Sequence, residues 1–257
     1  MKNFKIKSYC KVNLSLRVIK KLKNGYHNIS SLITFCDLHD VISISKINFP
    51  KDKISFSGNF KRNISKNSNT VLKVLHLLRK NKLISKNKYK INIQKNIPHG
   101  SGLGGGSSNA ADLLNHFNTK NEIGLNYAKM EKIAFKIGSD VPICLKKNNT
   151  FLDGKNNKII RLKHKFRLNL LILYPDLICS TKKIFKKNNK ISEKKNHFYL
   201  YKKKQSKLIQ FLKSESNDLE KVVIRLYPKI KQAINYISQQ KGCYFSRITG
   251  SGSACIG

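Results

Sequence analysis

A glycine-rich segment is the part of this sequence whose residue types point most directly to chemistry. Residues 98–108 read PHGSGLGGGSS and lie between an alternating apolar segment and an apolar segment with helical spacing. Glycine permits positive φ and a close approach of the backbone to an anion, and the first N–H groups of a following helix point toward that anion. The pattern predicts a phosphate-binding loop that comprises Pro98, His99, Gly100, Ser101, Gly102, Leu103, Gly104, Gly105, Gly106, Ser107 and Ser108.

Two other interpretations of the same residues are weaker. A flexible linker would not usually follow a strand that ends at a proline and lead directly into an apolar helix. Gly100, Gly102 and Gly105 have the spacing of a dinucleotide-binding fingerprint. That fingerprint follows a buried apolar strand, whereas the strand here carries Lys90 and Lys95. A Walker A loop is excluded because no Gly-Lys-Ser or Gly-Lys-Thr occurs.

Asp140 and Lys11 have the residue types that proton transfer and charge stabilisation require. Asp140 lies in the segment Ser139-Asp140-Val141-Pro142, which the pattern places just after a helix. Its carboxylate could act as a general base, and a capping or turn aspartate before Pro142 is the alternative. Lys11 lies on the polar face of a predicted strand and could hold a carboxylate ionised, whereas an ordinary solvated lysine is the alternative.

The elements that would position these residues follow from the spacing of apolar side chains. A cap at Ser68 or Asn69 begins one helix, Gly138 ends another, and Asn24-Gly25 forms a turn. Strands are predicted around residues 10–19, 31–35, 41–45, 54–56, 89–93 and 168–173, with a hairpin across 146–149. Helices are predicted around residues 70–80, 109–117, 127–137, 205–213, 218–226 and 229–240.

The length of 257 residues favours two domains, with boundaries predicted at 1–155 and 156–257. The mixture of strands and helices predicts an α+β fold. A Lys- and Asn-rich stretch over residues 182–207 predicts a mobile surface excursion. No apolar run has the length of a membrane helix, and the start resembles no signal peptide, so a cytosolic protein is expected. The six cysteines form no CxxC pair and are expected to be reduced and mostly buried.

The net charge of +39 suggests a nucleic-acid partner at first sight. Only seven of the 52 basic residues are Arg, however, and planar recognition of phosphates and base edges favours Arg. A lysine-coated surface attracts polyanions without sequence preference, mainly at low salt. Neither a specific nucleic-acid partner nor a membrane partner is therefore expected, and no obligate protein partner is inferred.

The loop is similar to the nucleotide-binding loop of the GHMP kinases. Within that superfamily, the run GLGGGSSNAA over residues 102–111 resembles most closely the 4-diphosphocytidyl-2-C-methyl-D-erythritol kinase family. Further segments resemble that family in the same order along nearly the whole chain. They are Lys11-Val12-Asn13-Leu14, Gly25-Tyr26-His27, Ile137-Gly138-Ser139-Asp140-Val141-Pro142, Asn217-Asp218-Leu219-Glu220 and Thr249-Gly250-Ser251-Gly252.

The resemblance implies a GHMP-kinase-like architecture with two domains and the active site in the cleft between them. It implies ATP as the phosphoryl donor, Mg²⁺ carried with ATP, Asp140 as the catalytic base and Lys11 as its catalytic partner. Asn69 and Lys95 resemble positions near the adenosine of ATP. The implied substrate is the small molecule cytidine diphosphate methylerythritol, phosphorylated on its 2-hydroxyl. The residues implied around it are Asn13, Tyr26, His27, Thr181 and Phe185.

Some alternatives and departures remain at this stage. Without the resemblance, Phe185 reads equally well as an ordinary core residue. Ser101 and Ser139 stand where the family usually has glycine and alanine. The C-terminal domain is expected to be shortened at its end, because the family pattern continues beyond Gly257 with a closing strand and a helix. Homoserine kinase is the nearest alternative activity, and a nicotinamide oxidoreductase and a nucleic-acid-binding protein are alternatives from other classes.

Overall fold

The structure is a computed structural model. It describes residues 3–23, 25–62, 64–65, 67–84, 86–120, 123–154, 158–163, 168–193 and 205–257. Two compact units emerge, and neither is continuous in sequence. Unit 1 consists of Met1–Lys11, Cys36–His99 and Gly104–Lys147, and unit 2 consists of Val12–Phe35, Gly100–Leu103 and Asn148–Gly257. The predicted domain boundary at residue 155 and the placement of the active site in a cleft stay predictions.

The chain alternates strands and helices, which agrees with the predicted α+β class. The strands are β1 (Phe4–Asn13), β2 (Arg17–Lys21), β3 (His27–Ile47), β4 (Lys53–Ser57), β5 (Lys88–Gln94), β6 (Thr150–Asp153), β7 (Lys158–Arg161), β8 (Ile172–Leu173), β9 (Arg247–Ile248) and β10 (Cys255–Ile256). The helices are α1 (Thr70–Lys80), α2 (Gly105–Lys120), α3 (Tyr127–Ile137), α4 (Val141–Cys144), α5 (Thr181–Lys187), α6 (Gln205–Ser214), α7 (Glu220–Leu226) and α8 (Lys229–Ser238).

Unit 1 contains helices α1 to α4, strands β4 and β5 and the C-terminal half of β3, and β5 leads to the glycine loop. The C-terminal half of β3 pairs with β5 in antiparallel fashion, from Val41 opposite Gln94 to Ile47 opposite Lys88. β4 pairs with β5 in parallel. Alternate residues of β5, such as Ile91 and Ile93, are fully buried, which is the period-two pattern of a strand with one covered face. The exit of β5 thereby fixes where the loop begins.

Unit 2 contains the N-terminal half of β3 and most of the C-terminal sequence. The N-terminal half of β3 pairs with β2 and β6, and β6 pairs with β7, all antiparallel. A small sheet has the order β8-β10-β9. The core of unit 2 consists of buried apolar side chains from β2, α5, α7, α8 and the small sheet, among them Val18, Ile184, Val223, Ile230 and Ile248.

Several predicted elements are confirmed by the structure. The α1 helix covers residues 70–80, and its cap is Asn69, whose side-chain oxygen accepts a hydrogen bond from the Leu72 N–H at 3.0 Å. The α3 helix covers residues 127–137 and ends at Gly138. The strands β4 and β5 and the helices α6, α7 and α8 lie where the sequence predicts them, within a few residues at each end.

The predicted strand over residues 10–19 is wrong in its extent. β1 ends at Asn13 and β2 begins at Arg17, and both strands run beyond the alternating segment. The segment is also not half-buried, because Lys11 and Asn13 are only 4% and 3% exposed. The alternation of polar and apolar residues could not reveal that protein covers the polar face as well.

Other differences concern helix starts and loops. The α2 helix begins at Gly105, four residues before its predicted start. Glycine has a low helix propensity, so the sequence pattern did not indicate that Gly105 and Gly106 form the first turn. No hairpin crosses residues 146–149, since this segment links α4 to β6. The single strand β3 takes the place of the separate strands predicted at 31–35 and 41–45.

The predicted mobile excursion over 182–207 begins inside a helix, α5. Its cap is Ser180, whose hydroxyl accepts a hydrogen bond from the Lys183 N–H at 3.4 Å. The rest of the excursion from 194 to 204 lies outside the described residues, as does Asn24 of the predicted turn. Of the strand predicted over 168–173, only Ile172–Leu173 is a strand.

All six cysteines are free thiols, and four of them are buried, as predicted. Among the helices in the described part of the chain, none has the length and apolar character needed to span a membrane.

Candidate active site

The glycine loop leads from β5 into α2 with three left-handed residues. Gly100, Gly102 and Gly104 have φ values of 68°, 82° and 68°. Side chains rarely tolerate this region of φ, so the backbone shape of the loop depends on these glycines. The Ser108 N–H donates to the Gly104 carbonyl at 2.9 Å and starts the helical hydrogen-bonding pattern. The first N–H groups of α2 have no partner inside the helix and can donate hydrogen bonds to an anion.

Lys11 lies directly against the loop within unit 1. A Cβ atom placed on Gly104 would lie 2.6 Å from Lys11 Cγ and 2.9 Å from Lys11 Cε. The glycine therefore leaves the space through which the aliphatic part of Lys11 runs. The Lys11 ammonium lies 3.5 Å from Asp140 Oδ2. This arrangement brings Gly104 of the loop, the lysine and the aspartate together in unit 1.

Asp140 is held by the junction between two helices. Gly138 ends α3, the Val141 N–H donates to the Gly138 carbonyl at 3.1 Å, and α4 follows. The carboxylate makes no capping hydrogen bond to the short helix over residues 141–144. The capping interpretation of Asp140 is thus not realised. Its side chain is 41% exposed, whereas that of Lys11 is 5% exposed, so the carboxylate is accessible to a substrate hydroxyl.

The start of α1 lies beside the start of α2. The Thr70 hydroxyl donates to the Gly106 carbonyl at 2.8 Å, and Thr70 follows Asn69, the cap of α1. An open pocket of about 350 Å³ adjoins Asn69. Its lining residues are Asn67, Ser68, Asn69, Leu72, Lys73, His76, Leu77 and Lys136. Asn69, which the resemblance puts near adenosine, is therefore adjacent to both the loop and a pocket.

Lys95 lies beneath the loop and is almost completely covered. It is 3% exposed, and its ammonium pairs with the fully buried Asp40. A Cβ atom on Gly105 would lie 3.2 Å from Lys95 Nζ. Burial lowers the pKa of Lys95, and the Asp40 carboxylate opposes that lowering. The side chain of Lys95 faces the protein interior behind the first turn of α2.

Within unit 2, residues 100–103 of the loop lie against the Thr249–Gly252 segment. A Cβ atom on Gly102 would collide with the carbonyl oxygens of Thr249 and Gly252. The Ala254 N–H donates to the Ser101 carbonyl at 2.9 Å. Ser101 is 1% exposed, so the serine that replaces a glycine of the family is accommodated inside the unit.

Two of the predicted substrate residues form hydrogen bonds with the Thr249–Gly252 segment. The Asn13 N–H donates to the Thr249 hydroxyl at 2.7 Å, and the Asn13 amide donates to the Ser31 hydroxyl at 2.8 Å. The Thr181 hydroxyl lies 2.8 Å from the Ser251 hydroxyl. The segment thereby brings Asn13 and Thr181 into one region of unit 2.

The predicted aromatic residues form a second group in unit 2. The rings of His27 and Phe185 lie 5.0 Å apart between centroids and are tilted by 37°. They contact each other directly, which leaves no room for a base between them. Phe185 is half-buried against the core of unit 2, while Tyr26 is 64% exposed. Burial, with a smaller contribution from Lys21, lowers the pKa of His27, so its ring is neutral at pH 7.

Asn217 supports the Thr249–Gly252 segment and the neighbouring Asp218 ties β2 to the start of α7, two contacts that the sequence pattern did not reveal. The Asn217 amide donates to the carbonyls of Ile248 and Gly250 at 3.1 and 2.8 Å. Asp218 accepts a hydrogen bond from the Val18 N–H at 2.8 Å and pairs with Lys190. The match of Asn217–Glu220 to a family segment was the only signal in the sequence that could have indicated this support.

Two family descriptions match the chain. The GHMP kinases N terminal domain matches residues 69–148, and the GHMP kinases C terminal domain matches residues 201–257. The first match contains the glycine loop and Asp140, and the second contains Thr249–Gly252. Together with the mixed helix and sheet fold, these matches define a small-molecule kinase of the GHMP class, a class that uses ATP as its phosphate donor.

Relatives narrow this class to one family. The chain is 41% identical over 258 residues to 4-diphosphocytidyl-2-C-methyl-D-erythritol kinase of Pelagibacter ubique, an alignment that covers 100% of this chain and 89% of the relative. The enzyme of the same name from Caldanaerobacter subterraneus is 34% identical over 98% of this chain and 87% of its own length. The chain belongs to the 4-diphosphocytidyl-2-C-methyl-D-erythritol kinase family.

Solved structures agree at the level of the fold. A 4-(cytidine 5'-diphospho)-2C-methyl-D-erythritol kinase superposes with a TM-score of 0.74 at 22% identity, covering 99% of this chain and 89% of the other. Homoserine kinase from Cytophaga hutchinsonii gives a TM-score of 0.73 at 15% identity, covering 100% and 84%. The two scores are nearly equal, so these structures show the fold alone, and the sequence identity to the relatives defines the family.

Proposed function

We propose that the protein transfers the γ-phosphoryl group of ATP to the 2-hydroxyl of 4-diphosphocytidyl-2-C-methyl-D-erythritol. This reaction belongs to the non-mevalonate route to isoprenoid precursors. The full-length identity of 41% to a relative of that name supports the choice of substrate. The observation that carries the chemistry is the contact of Lys11 with both Gly104 and Asp140, because it puts a base and a cation at a loop suited to phosphate.

Asp140 is the proposed general base. In the reaction the substrate hydroxyl loses its proton, a new bond forms between its oxygen and the γ-phosphorus, and ADP leaves. Asp140 accepts the proton through an exposed carboxylate that no capping bond occupies. Phosphoryl transfer otherwise depends on positioning and on neutralising charge, rather than on covalent chemistry by the protein.

Lys11 has two proposed tasks. Its ammonium lies 3.5 Å from Asp140 Oδ2 and can hold in position the carboxylate that accepts the proton. Because its aliphatic chain lies along Gly104, the same ammonium stands at the edge of the loop, where negative charge develops on the transferring group. The nearly complete burial of Lys11 restricts its side chain and keeps the ammonium close to both groups.

Mg²⁺ enters as part of the substrate MgATP in this proposal. Among the described residues, no group of three or more His, Cys, Asp or Glu side chains lies together to hold a metal ion by itself. Phosphate oxygens would therefore supply most of its ligands, as is usual for Mg²⁺. Of the two serines at the start of α2, Ser107 is half-exposed and Ser108 is fully buried, so Ser107 fits such a contact better.

The cytidine end is proposed to bind to the aromatic group of unit 2. Because the rings of His27 and Phe185 already contact each other, the base would stack on an outer ring face rather than between the two rings. Asn13 and Thr181, which meet the Thr249–Ser251 segment, are proposed to contact the polar chain of the substrate.

A coupled assay of ADP release tests the proposal. The cytidylated polyol, homoserine and mevalonate are offered in parallel at equal concentrations. The expected result is that ADP is released with the cytidylated polyol and not with homoserine or mevalonate. Preferential turnover of homoserine would contradict the proposed substrate but would still agree with a kinase activity. The fold by itself would allow that outcome.

Thermal unfolding separates the kinase from the other two classes. A ligand that binds the folded state raises the unfolding midpoint by mass action, so MgATP is expected to raise it and NAD is not. Duplex RNA is expected to act only at low salt, with an effect that disappears between about 50 and 200 mM salt. Stabilisation by NAD, or a sequence preference among duplexes at 200 mM salt, would contradict the proposal.

A further inference from the structure

Asp40 is a buried carboxylate that accepts hydrogen bonds from four groups. It lies in β3 and is 0% exposed. Its Oδ1 accepts from the backbone N–H groups of Asn96 and Ile97 at 2.8 and 2.9 Å. Its Oδ2 accepts from the Asn109 amide at 3.0 Å and from the Lys95 ammonium. A carboxylate has about four acceptor positions, so all of them are used.

These four donors come from the two chain segments that flank the glycine loop. Lys95, Asn96 and Ile97 lie between the end of β5 and the loop, and Asn109 lies in the second turn of α2. One carboxylate therefore joins the strand exit to the helix start. The shape of the loop between them depends on how far apart these two ends are held.

Asp40 also balances the positive charge of Lys95 near the start of α2. Lys95 Nζ would lie 3.2 Å from a Cβ atom on Gly105, the first residue of α2. A cation at a helix N-terminus is repelled by the positive end of the helix dipole. Asp40 offsets this repulsion and keeps Lys95 in place behind the turn whose N–H groups face outward.

We propose that Asp40 is a positioning residue for the phosphates of ATP. It holds both flanks of the glycine loop and the ammonium behind it, so that the loop N–H groups keep the arrangement that binds an anion. Asp40 itself is fully buried and acts only through Lys95, Asn109 and the backbone. This inference rests on the proposed kinase function, because ATP supplies the phosphates.

The test is Asp40→Asn in the full-length chain. The amide keeps one acceptor for the backbone N–H groups but presents its own donors to Lys95 and Asn109. The expected result is a rise of at least tenfold in KM for ATP and a matching loss of MgATP affinity by calorimetry. KM for the cytidylated polyol is expected to change less than twofold, a split that a general loss of stability would not produce.

Asp52→Asn is the matched control. Asp52 is also a carboxylate that pairs with a cation, Arg79, and it accepts a backbone hydrogen bond from Tyr89 at 2.9 Å. Tyr89 is near the beginning of β5, about 17 Å along the strand from its end at Gln94, and the loop begins further on at Pro98. Asp52→Asn is expected to lower the unfolding midpoint while leaving KM for ATP unchanged. An equal rise of KM for ATP in both variants would overturn the positioning role.

Asn109→Ala is the second variant, used if Asp40→Asn does not fold. It removes the tie to α2 and leaves the buried pair of Asp40 and Lys95 neutral overall. A rise of several-fold in KM for ATP, with kcat within twofold, supports the inference, and unchanged MgATP affinity overturns it. If the unaltered chain binds no MgATP by calorimetry, the kinase proposal itself fails, and the role of Asp40 fails with it.

Discussion

Lys11 and Asp140 form an ion pair of 3.5 Å in which one side chain is buried and the other is not. Lys11 is 5% exposed, whereas Asp140 is 41% exposed. An ion pair that served only stability would gain little from such a geometry, because water screens the exposed carboxylate. A general base, in contrast, needs a carboxylate that the substrate hydroxyl can reach, and a buried lysine beside it can hold it in position. The asymmetry of the pair therefore agrees with a catalytic purpose.

Asp140→Asn is expected to lower kcat at least a hundredfold. The amide keeps the shape of the side chain but cannot accept the hydroxyl proton, and general base catalysis typically contributes 10²–10⁴-fold. MgATP affinity is expected to stay within about threefold, because Asp140 is not part of the loop. Steady-state kinetics and calorimetry measure the two quantities. A kcat close to that of the unaltered enzyme would remove Asp140 from the mechanism.

Lys11→Met is expected to lower kcat strongly with a smaller effect on KM for ATP. The methionine fills the space along Gly104 but carries no charge for Asp140 or for the transferring group. Lys90→Met, at an exposed position of β5, is the control for the loss of one lysine and should have normal kinetics. If only KM for ATP rises in Lys11→Met, the lysine binds the ground state and does not act in the chemical step.

Gly104→Ala is expected to impair catalysis beyond the effect of backbone strain. Its φ of 68° costs an alanine about 1–2 kcal/mol, and the new Cβ would lie 2.6 Å from Lys11 Cγ and displace that side chain. Gly242→Ala isolates the strain, because Gly242 has a φ of 84° and nothing within 4 Å of a Cβ. Both variants should lose stability to a similar degree in thermal unfolding. Only Gly104→Ala should lose turnover, and equal turnover would argue against the contact with Lys11.

The sequence predicted local features better than distant ones. The cap at Asn69, the stop at Gly138 and the glycine loop are set by residues close together in the chain, so a local pattern reveals them. Asp40 could not be found in this way. It meets Lys95 across 55 positions and Asn109 across 69, and a lone aspartate before the predicted strand at 41–45 carries no signal of such contacts.

The candidate site shows the same limit. Asp140 and Lys11 were predicted from the family resemblance, and the residue types alone allowed a capping aspartate and a solvated lysine. The missing cap bond of Asp140 and the burial of Lys11 argue against these alternatives, and both observations depend on the tertiary fold. The long strand β3 was predicted as separate pieces for a related reason, because its exposed residues near Asp37 and Leu38 interrupt the apolar pattern without interrupting the backbone pairing.

Acid is expected to destabilise the protein partly through His27. Its pKa in the folded state is lowered by burial and by Lys21, so the unfolded chain binds the proton more readily. Stability is therefore unaffected well above the ordinary histidine pKa of 6.5 and falls as the pH drops below it. His27→Gln should reduce the loss of the unfolding midpoint between pH 7 and pH 5.5, whereas His76→Gln, at an exposed position of α1, should leave it unchanged. An identical pH dependence in all three proteins would contradict this assignment.

Phe185→Ala is expected to weaken binding of the cytidylated substrate without weakening binding of ATP. Stacking of a base on an aromatic ring contributes about 1–3 kcal/mol, so KM for the cytidylated polyol should rise about fivefold or more. Phe185 is also half-buried against the core of unit 2, and the variant should therefore lose some stability as well. The unfolding midpoint must be measured alongside the two titrations to separate these effects.

Phe135→Ala supplies the comparison for the loss of a phenylalanine, since Phe135 is 50% exposed on α3. It should leave both Michaelis constants unchanged. Binding energy from the cytidine orients the reacting hydroxyl, so methylerythritol phosphate without the nucleotide should be a very poor substrate for the unaltered enzyme. The Phe185→Ala variant should discriminate less between these two substrates, because it has lost part of the cytidine contact. If Phe185→Ala weakens the binding of both substrates and of ATP equally, Phe185 only supports the fold of unit 2, and the base must bind elsewhere.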